Sequence, residues 1–202
     1  MKRYLLAALL ALGLSSAAFP QGTPGSGPNV ITSSAYLGPV DAGSVTTRLA
    51  NTTAYSANTI LCGSVCAPFT VNFNSTNSAR ATVNRITFLK SGSSTTNANF
   101  TLWFFNAYPT LTGLSDGSAY VGPYAADIPH YLGNAQCTSG NATNDGTAQV
   151  WYECLVNSNN SQRTLEMAAP YGLGTVYGLI SVTGAYTPAS AETFQPFVTG
   201  VY

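Results

Sequence analysis

Short runs of β-branched and aromatic residues recur along the chain, and Gly, Asn and Pro separate them. In the run Ala67–Phe73, the side chains of Phe69, Val71 and Phe73 fall on one face of an extended backbone and polar residues alternate with them. This period of two is typical of a half-buried strand. The sequence therefore predicts an all-β domain, a single β-sandwich with jelly-roll or Greek-key order. The predicted strands are Val30–Tyr36, Ser44–Ala50, Thr59–Cys62, Ala67–Phe73, Arg80–Lys90, Asn99–Asn106, Thr147–Asn157, Arg163–Met167, Thr175–Ala185 and Thr193–Tyr202.

The predicted strand Asn99–Asn106 is apolar on both faces, because Trp103 and Phe105 lie opposite the face that carries its other aromatic residues. Such a strand is either covered on both sides within the domain or lies at a contact between molecules. A second irregularity lies near Arg85, where the alternation changes phase. A change of phase within one strand indicates a β-bulge.

The strand pattern breaks between Asn106 and Asn134. We expect one long loop there, and Tyr124–Leu132 is its short helical candidate. Its tyrosines could stack on sugars or fill the groove of a partner.

The N-terminal residues 1–18 have the features of a signal peptide. Lys2 and Arg3 precede an apolar run, Tyr4–Leu14, and small residues follow it. The run is shorter than the ~20 residues that a membrane-spanning helix needs, so no membrane span is expected. Residues 19–29 are rich in Pro and Gly and predict a flexible leader, with the β-sandwich over residues 30–202. We therefore expect a protein that is secreted, extracellular or on the cell surface.

The four cysteines fit an exported protein, in which they would form disulfides. Four cysteines allow three pairings; proximity in the chain favours Cys62 with Cys66 and Cys137 with Cys154. The alternative is a zinc site, but these spacings, with no histidine nearby, match a zinc ligand set poorly.

Charged residues make up only 7% of the chain, against about 25% in a typical soluble domain. Without the signal peptide, five cations and seven carboxylates remain. So few cations cannot form the basic stripe that nucleic acids require, which excludes nucleic acid as a partner. Low charge also reduces repulsion between packed copies, which suits self-association.

Few residues suggest catalysis. His130 is the one histidine and lies in the long loop, where a structural role is expected. Glu153 and Glu166 could pair as a glycosidase acid and nucleophile, but outward-facing solubilising charges are the favoured explanation. The sequence contains no phosphate-binding loop, dinucleotide fingerprint or calcium loop. We predict no catalytic, cofactor-binding or metal-binding residue, and hence no cofactor and no enzyme.

Two segments resemble uncharacterised virion proteins of tailed phages, of the decoration type. In Phe100–Gly133, a strand ending in Phe-Phe-Asn precedes Pro-Thr, a polar loop and a short Asp-containing helix. In Thr175–Phe194, a Gly-Ala-Tyr-Thr-Pro-Ala-Ser turn joins two strands. The resemblance implies a small β-sandwich that decorates or builds a particle, without catalytic residues. The signal peptide and the cysteines depart from that family, whose members assemble in the cytoplasm.

These observations predict an exported structural protein that associates with copies of itself into a filament, sheath or surface layer. The leader with Val30–Tyr36, or the terminal Phe194–Tyr202, could donate a strand to a neighbour. The alternatives are a secreted adhesin or carbohydrate-binding module that meets glycans or a cell surface, and a virion decoration protein. The candidate interaction residues are Val30, Ile31, Tyr36, Trp103, Phe105, Tyr120, Tyr124, Tyr131, Phe194 and Phe197.

Overall fold

In a computed structural model, antiparallel strands form nearly all the regular structure of the residues that can be described. The structure describes residues 41–73, 80–144, 146, 148–156, 165–168 and 174–201. The signal peptide, the leader and the predicted strand Val30–Tyr36 lie outside these residues. The strands are β1 (Asp41–Ala42), β2 (Thr46–Thr47), β3 (Thr59–Leu61), β4 (Phe69–Asn72), β5 (Arg80–Lys90), β6 (Phe100–Phe105), β7 (Tyr131–Cys137), β8 (Ala142–Asn144), β9 (Val150–Val156), β10 (Leu165–Ala168), β11 (Thr175–Val182) and β12 (Thr193–Val201).

The strands form one strongly curled sheet with the order β1-β12-β5-β9-β7-β6-β11-β3. Strand β9 passes from one layer to the other, because its first part pairs with β5 and its last two residues pair with β7. On the opposite side, Gly43 bridges to Val71 of β4, and the Ser44 amide donates to the Thr70 carbonyl over 2.8 Å. The sheet thus curls into two facing layers, and the prediction of an all-β, sandwich-like fold is confirmed.

The main core lies between the two layers and contains the inward-facing half of each alternating strand. In β5 these residues include Ile86 and Phe88, which have no exposed surface. The Phe88 ring packs on those of Phe100, Tyr152 and Phe194, at centroid distances between 5.2 and 6.1 Å. Packed aromatic rings contribute more than their buried area alone, so this cluster stabilises the contact between the layers.

The predicted β-bulge is present. Along the pairing of β12 with β5, Thr199 lies opposite Arg85 but Gly200 lies opposite Val83, so Asn84 is the extra residue. The extra residue changes the phase of the side chains, which explains why both Val83 and Ile86 are buried.

The long loop packs against the outer face of β6 and β11 and forms a second apolar cluster there. The buried members of this cluster are Ile60, Cys62, Phe105, Tyr120 and Leu179. Strand β6 is therefore covered on both faces by its own chain, and of the two explanations for its pattern the intramolecular one is correct.

The predicted helix Tyr124–Leu132 is much shorter in the structure. It is reduced to a single 3₁₀ turn, Ile128–His130, which has a proline in its first turn. Tyr131 already belongs to β7, a strand that the sequence pattern did not predict. Asp127 anchors the end of the loop by accepting hydrogen bonds from the amide and the hydroxyl of Thr110, at 3.0 and 2.9 Å.

Both predicted disulfides are confirmed. Cys62 is bonded to Cys66 at the end of β3, and Cys137 is bonded to Cys154. The second bond links β7 to β9 beside the two residue pairs that these strands share. It therefore fixes the point at which β9 moves from one layer to the other.

Candidate functional site

The charged side chains that the structure describes are mostly inside the protein. Only Arg85 and Glu153 are well exposed, with 60% and 54% of their side-chain surface accessible. The others are buried or nearly so: Asp41, Arg48, Lys90, Asp116, Asp127 and Glu192. Among the charged side chains that the structure describes, Arg85 and Glu153 thus form the one exposed charge pair.

Arg85 and Glu153 line a groove of about 500 Å³ on the outer face of the β12-β5-β9 layer. The strand register builds its floor: Phe197 and Glu153 both lie opposite Thr87, on either side of β5. The next outward-facing residues along these strands extend the floor of the groove. The residues that line the groove are Arg85, Thr87, Thr143, Trp151, Glu153, Phe197 and Thr199.

Two aromatic side chains provide the apolar surface of the groove. The ring centroids of Trp151 and Phe197 are 5.5 Å apart, and the rings are inclined by 39°. Both face outward because their strand neighbours, among them Tyr152 and Val198, point into the core. Both rings are half-buried, so each keeps an accessible surface on which a flat apolar ligand face could stack.

The Arg85–Glu153 pair provides the polar side of the groove. The Arg85 Nε donates to Glu153 Oε2 over 2.9 Å, and a second nitrogen of the guanidinium donates to Oε1. These two hydrogen bonds hold the pKa of the Glu153 carboxyl below its usual range and raise the pKa of Arg85. Because Glu153 stays ionised, it can accept hydrogen bonds from a ligand but is poorly suited to act as a general acid.

The structure places the other candidate catalytic residues, His130 and Glu166, apart from a catalytic arrangement. His130 is exposed, and its Nδ1 lies 3.0 Å from the Asn106 side-chain oxygen. Glu153 lies opposite Thr87 of β5, whereas Glu166 lies opposite Thr82. Five positions along a strand correspond to about 16 Å between the two backbone sites. The register therefore does not place these two glutamates side by side, and the carboxylate of Glu153 is bound by Arg85.

The predicted interaction residues divide by burial. Phe105, Tyr120 and Phe194 are at most 2% exposed, so these three belong to the cores and are not available to a partner. Phe197 lies in the groove. Val30, Ile31 and Tyr36 fall outside the described residues.

The remaining aromatic candidates, in the long loop and on the strands that flank it, are only partly accessible. Trp103 is half-buried, and its Nε1 donates to Ser181 Oγ over 2.8 Å. Tyr131 is half-buried and its hydroxyl accepts a hydrogen bond from Asn134. Tyr124 is 38% exposed and packs edge-on against Tyr120. These side chains therefore mainly hold the loop onto β6, and Tyr124 is the most exposed of the three.

The main groove residues, Trp151 and Arg85, were not predicted as interaction residues. The alternation in β9 gave a signal for Trp151, because Val150 and Tyr152 on the opposite phase are typical core residues. No local signal shows that Trp151 approaches Phe197, since their contact depends on the register of three strands.

The described residues contain no group of three or more His, Cys, Asp or Glu placed to hold a metal ion. In the same part of the chain, no helix has the length and apolar character needed to cross a membrane.

No protein-family model matches the chain, and neither a curated protein nor a solved structure is significantly similar to it. The resemblance to phage virion proteins thus stays a prediction.

Proposed function

We propose that the protein is an exported, non-catalytic binding module whose groove holds a segment of a neutral polysaccharide. The observation that carries this proposal is the groove, which combines the Trp151–Phe197 ring pair with the exposed Arg85–Glu153 pair. The signal-like N-terminus and the two disulfides support export, because disulfides persist in oxidising compartments.

The chemistry of the groove matches that of a sugar chain. A pyranose ring has an apolar face that stacks on aromatic rings, and hydroxyls at its edge that both donate and accept hydrogen bonds. The guanidinium of Arg85 offers donors, the carboxylate of Glu153 offers acceptors, and the threonine hydroxyls offer both. Because the two charges neutralise each other, the groove favours a neutral polymer over an acidic one.

Affinity electrophoresis in gels that contain neutral polysaccharides tests this function. We expect a soluble neutral β-glucan or a related polymer to retard the wild-type protein, and Trp151→Ala to abolish the retardation while the circular dichroism spectrum is unchanged. Tyr124→Ala is the matched control, because it removes an exposed aromatic ring outside the groove. Retardation that survives Trp151→Ala would contradict the assignment of the groove, and loss with Tyr124→Ala alone would move the site to the long loop.

A second candidate function is self-association into a filament, sheath or surface layer, as the composition predicts. The observation that favours it is that, among the charged side chains that the structure describes, only Arg85 and Glu153 are well exposed, and their charges neutralise each other. Such a surface offers little electrostatic repulsion between copies. The coverage of β6 removes one argument for this function. The C-terminal strand β12 is already paired with β5 on one side and with β1 and β2 on the other, so the expectation that Phe194–Tyr202 donates a strand is not supported, and strand donation depends on residues 19–36.

Negative-stain microscopy of the purified native protein, with light scattering at high concentration, tests self-association. Regular polymers that disappear when residues 19–36 are deleted would support strand donation. Monodisperse monomers at all concentrations would refute self-association and leave the binding module as the proposed function.

A further inference from the structure

A lysine and a glutamate form an ion pair inside the core. Unlike the charged pair of the groove, both side chains are fully buried. Lys90 ends β5 on its inward-facing side, and Glu192 immediately precedes β12. The Nζ of Lys90 lies 2.7 Å from Oε1 of Glu192, and neither side chain has any exposed surface. The two residues are 102 positions apart in the chain.

A glycine beside the pair leaves room for the amine and the carboxyl group to stay in contact. Gly92 packs directly on the pair, and a Cβ at this position would lie 2.8 Å from the Glu192 carboxyl carbon and 3.2 Å from Nζ. The Gly92 carbonyl also accepts a hydrogen bond from Nζ. A side chain at residue 92 would therefore separate the two reactive groups, whereas glycine leaves them in contact.

The second oxygen of Glu192 has its own hydrogen-bond donors. Oε2 accepts from the hydroxyl of Tyr186 and, over 3.3 Å, from the backbone amide of Ala189. The pKa of Tyr186 is raised, first by burial and then by Glu192, so the phenol keeps its proton and remains a donor. Two donors aimed at one carboxyl oxygen form the arrangement that stabilises the negative oxygen of a tetrahedral intermediate.

Burial also favours the neutral, nucleophilic form of the Lys90 amine. Removing an ammonium group from water disfavours its charged form, and burial lowers the pKa of Lys90 despite the opposing effect of Glu192. Transfer of one proton from the ammonium to the carboxylate leaves a neutral amine, which is a nucleophile, beside a neutral carboxylic acid, which is an electrophile. Because neither side chain is exposed to solvent, bulk water has no direct access for the reverse, hydrolytic reaction.

We propose that Lys90 and Glu192 condense spontaneously in the folded protein into an isopeptide bond that cross-links β5 to the start of β12. The Nζ lone pair attacks the carboxyl carbon of Glu192, and the tetrahedral intermediate carries its negative charge on Oε2, where Tyr186 and Ala189 donate. The bond from carbon to Oε1 then breaks. Oε1 leaves as water with two of the three ammonium protons, and the third stays on the amide nitrogen. One ammonium and one carboxylate thus give one neutral amide and one water, with no oxidant or co-reactant.

Intact-mass spectrometry of the purified wild-type protein, followed by peptide mapping, tests the proposal. We expect a mass lower by one water than that of the same chain with two disulfides, and a branched tryptic peptide that joins Lys90 to Glu192. A full mass in the wild-type protein, or a water loss that maps to another residue, would overturn the proposal. This measurement needs no variant and so does not depend on whether a variant folds.

Variants then identify the reacting atoms. Lys90→Met should keep the full mass, because it has no amine; a retained water loss would overturn the assignment. Glu192→Gln should form the same bond with loss of ammonia instead of water, so its mass signature changes in a defined way. Tyr186→Phe keeps the ring but removes the donor to Oε2, and we expect a mixture of linked and unlinked chains. Complete linkage in Tyr186→Phe, at the wild-type rate during refolding, would refute the role of this phenol.

Discussion

Replacing Cys137 and Cys154 together by alanine should destabilise the protein more than replacing Cys62 and Cys66 together. The Cys137–Cys154 disulfide joins residues 17 positions apart, and the Cys62–Cys66 disulfide joins residues 4 positions apart. In the chain-entropy description, a disulfide stabilises the folded state by restricting the unfolded chain, and a longer loop is restricted more. That description gives about 3 kcal/mol for the longer loop and about 2 kcal/mol for the shorter one.

The positions of the two disulfides in the structure should further increase this difference in stability. Cys137 has no exposed surface and belongs to the main core, whereas Cys62 belongs to the smaller cluster under the long loop. Alanine at residue 137 therefore leaves a small void where the layers meet, and voids in a core cost additional stability. The bond also fixes the passage of β9 between the layers, so its loss should loosen β7.

Urea unfolding under non-reducing conditions measures both free energies of unfolding by linear extrapolation, with tryptophan fluorescence as the signal. We expect the Cys137/Cys154 variant to lose at least about 1 kcal/mol more than the Cys62/Cys66 variant. A link between Lys90 and Glu192 would be common to both variants and would cancel in the comparison. Equal losses, or a larger loss in the Cys62/Cys66 variant, would refute the argument from loop length and core position.

Three further outcomes follow from particular contacts. Arg48→Met should lower the free energy of unfolding by about 3 kcal/mol in a urea titration, because it leaves the carboxylate of Asp116 without its buried cation; a change below about 1 kcal/mol would contradict this role. Glu153→Gln should change stability by less than about 1 kcal/mol, since the pair is exposed. Because the pKa of Glu153 is lowered in the folded state, its small stabilising effect should be present near neutral pH and be lost as the pH falls through that pKa, which urea titrations at several pH values will show. Gly178→Ala should cost about 2 kcal/mol, because its Cβ would overlap a phenylalanine ring of β4, whereas Gly140→Ala, whose Cβ would meet only the Thr138 hydroxyl at an ordinary contact distance of 4.0 Å, should cost less than about 0.5 kcal/mol by thermal unfolding; similar melting temperatures for the two variants would refute the steric argument.

Strands with strong local patterns could be predicted from the sequence. The predicted bounds of Arg80–Lys90 equal those of β5, and the change of phase near Arg85 correctly indicated its bulge. Strand β7 was missed because its sequence, YLGNAQC, contains no β-branched residue and includes Gly133 and Asn134. It forms through long-range contacts: β6 pairs along one side, and β9, to which a disulfide links it, pairs along the other.

The candidate site was less accessible to sequence reasoning, since its residues come together only in the sheet. Alternation predicts that Trp151 points away from the core, but it says nothing of which side chains surround it. Phe197 and Arg85 reach the same groove because β12 and β9 both pair with β5 in a particular register. The same holds for β6, whose apolar outer face could not show whether its cover was the protein's own loop or another copy.

The few charged residues of the chain are best understood from their positions in the structure. A buried ion pair costs desolvation, and an apolar pair of similar volume is often at least as stable. A chain with so few charged residues nevertheless holds Lys90 against Glu192 and Arg48 near Asp116 in its interior. Arg48 and Asp116 have a structural reason, because Asp116 also accepts hydrogen bonds from the Tyr55 hydroxyl and the Cys62 amide and so fastens the long loop to β3.

Glu192 likewise accepts hydrogen bonds from the Tyr186 hydroxyl and the Ala189 amide, but its contact with Lys90 joins two strand ends that already pair through their backbones. Conversion to a neutral amide would remove the desolvation cost of both charges and replace an ionic contact by a covalent one. The exposed pair differs again, because Arg85 and Glu153 lie beside the aromatic rings of the groove, where a polar ligand can reach them. Each of the three pairs thus has a separate physical explanation, and only the exposed one is placed to meet a partner.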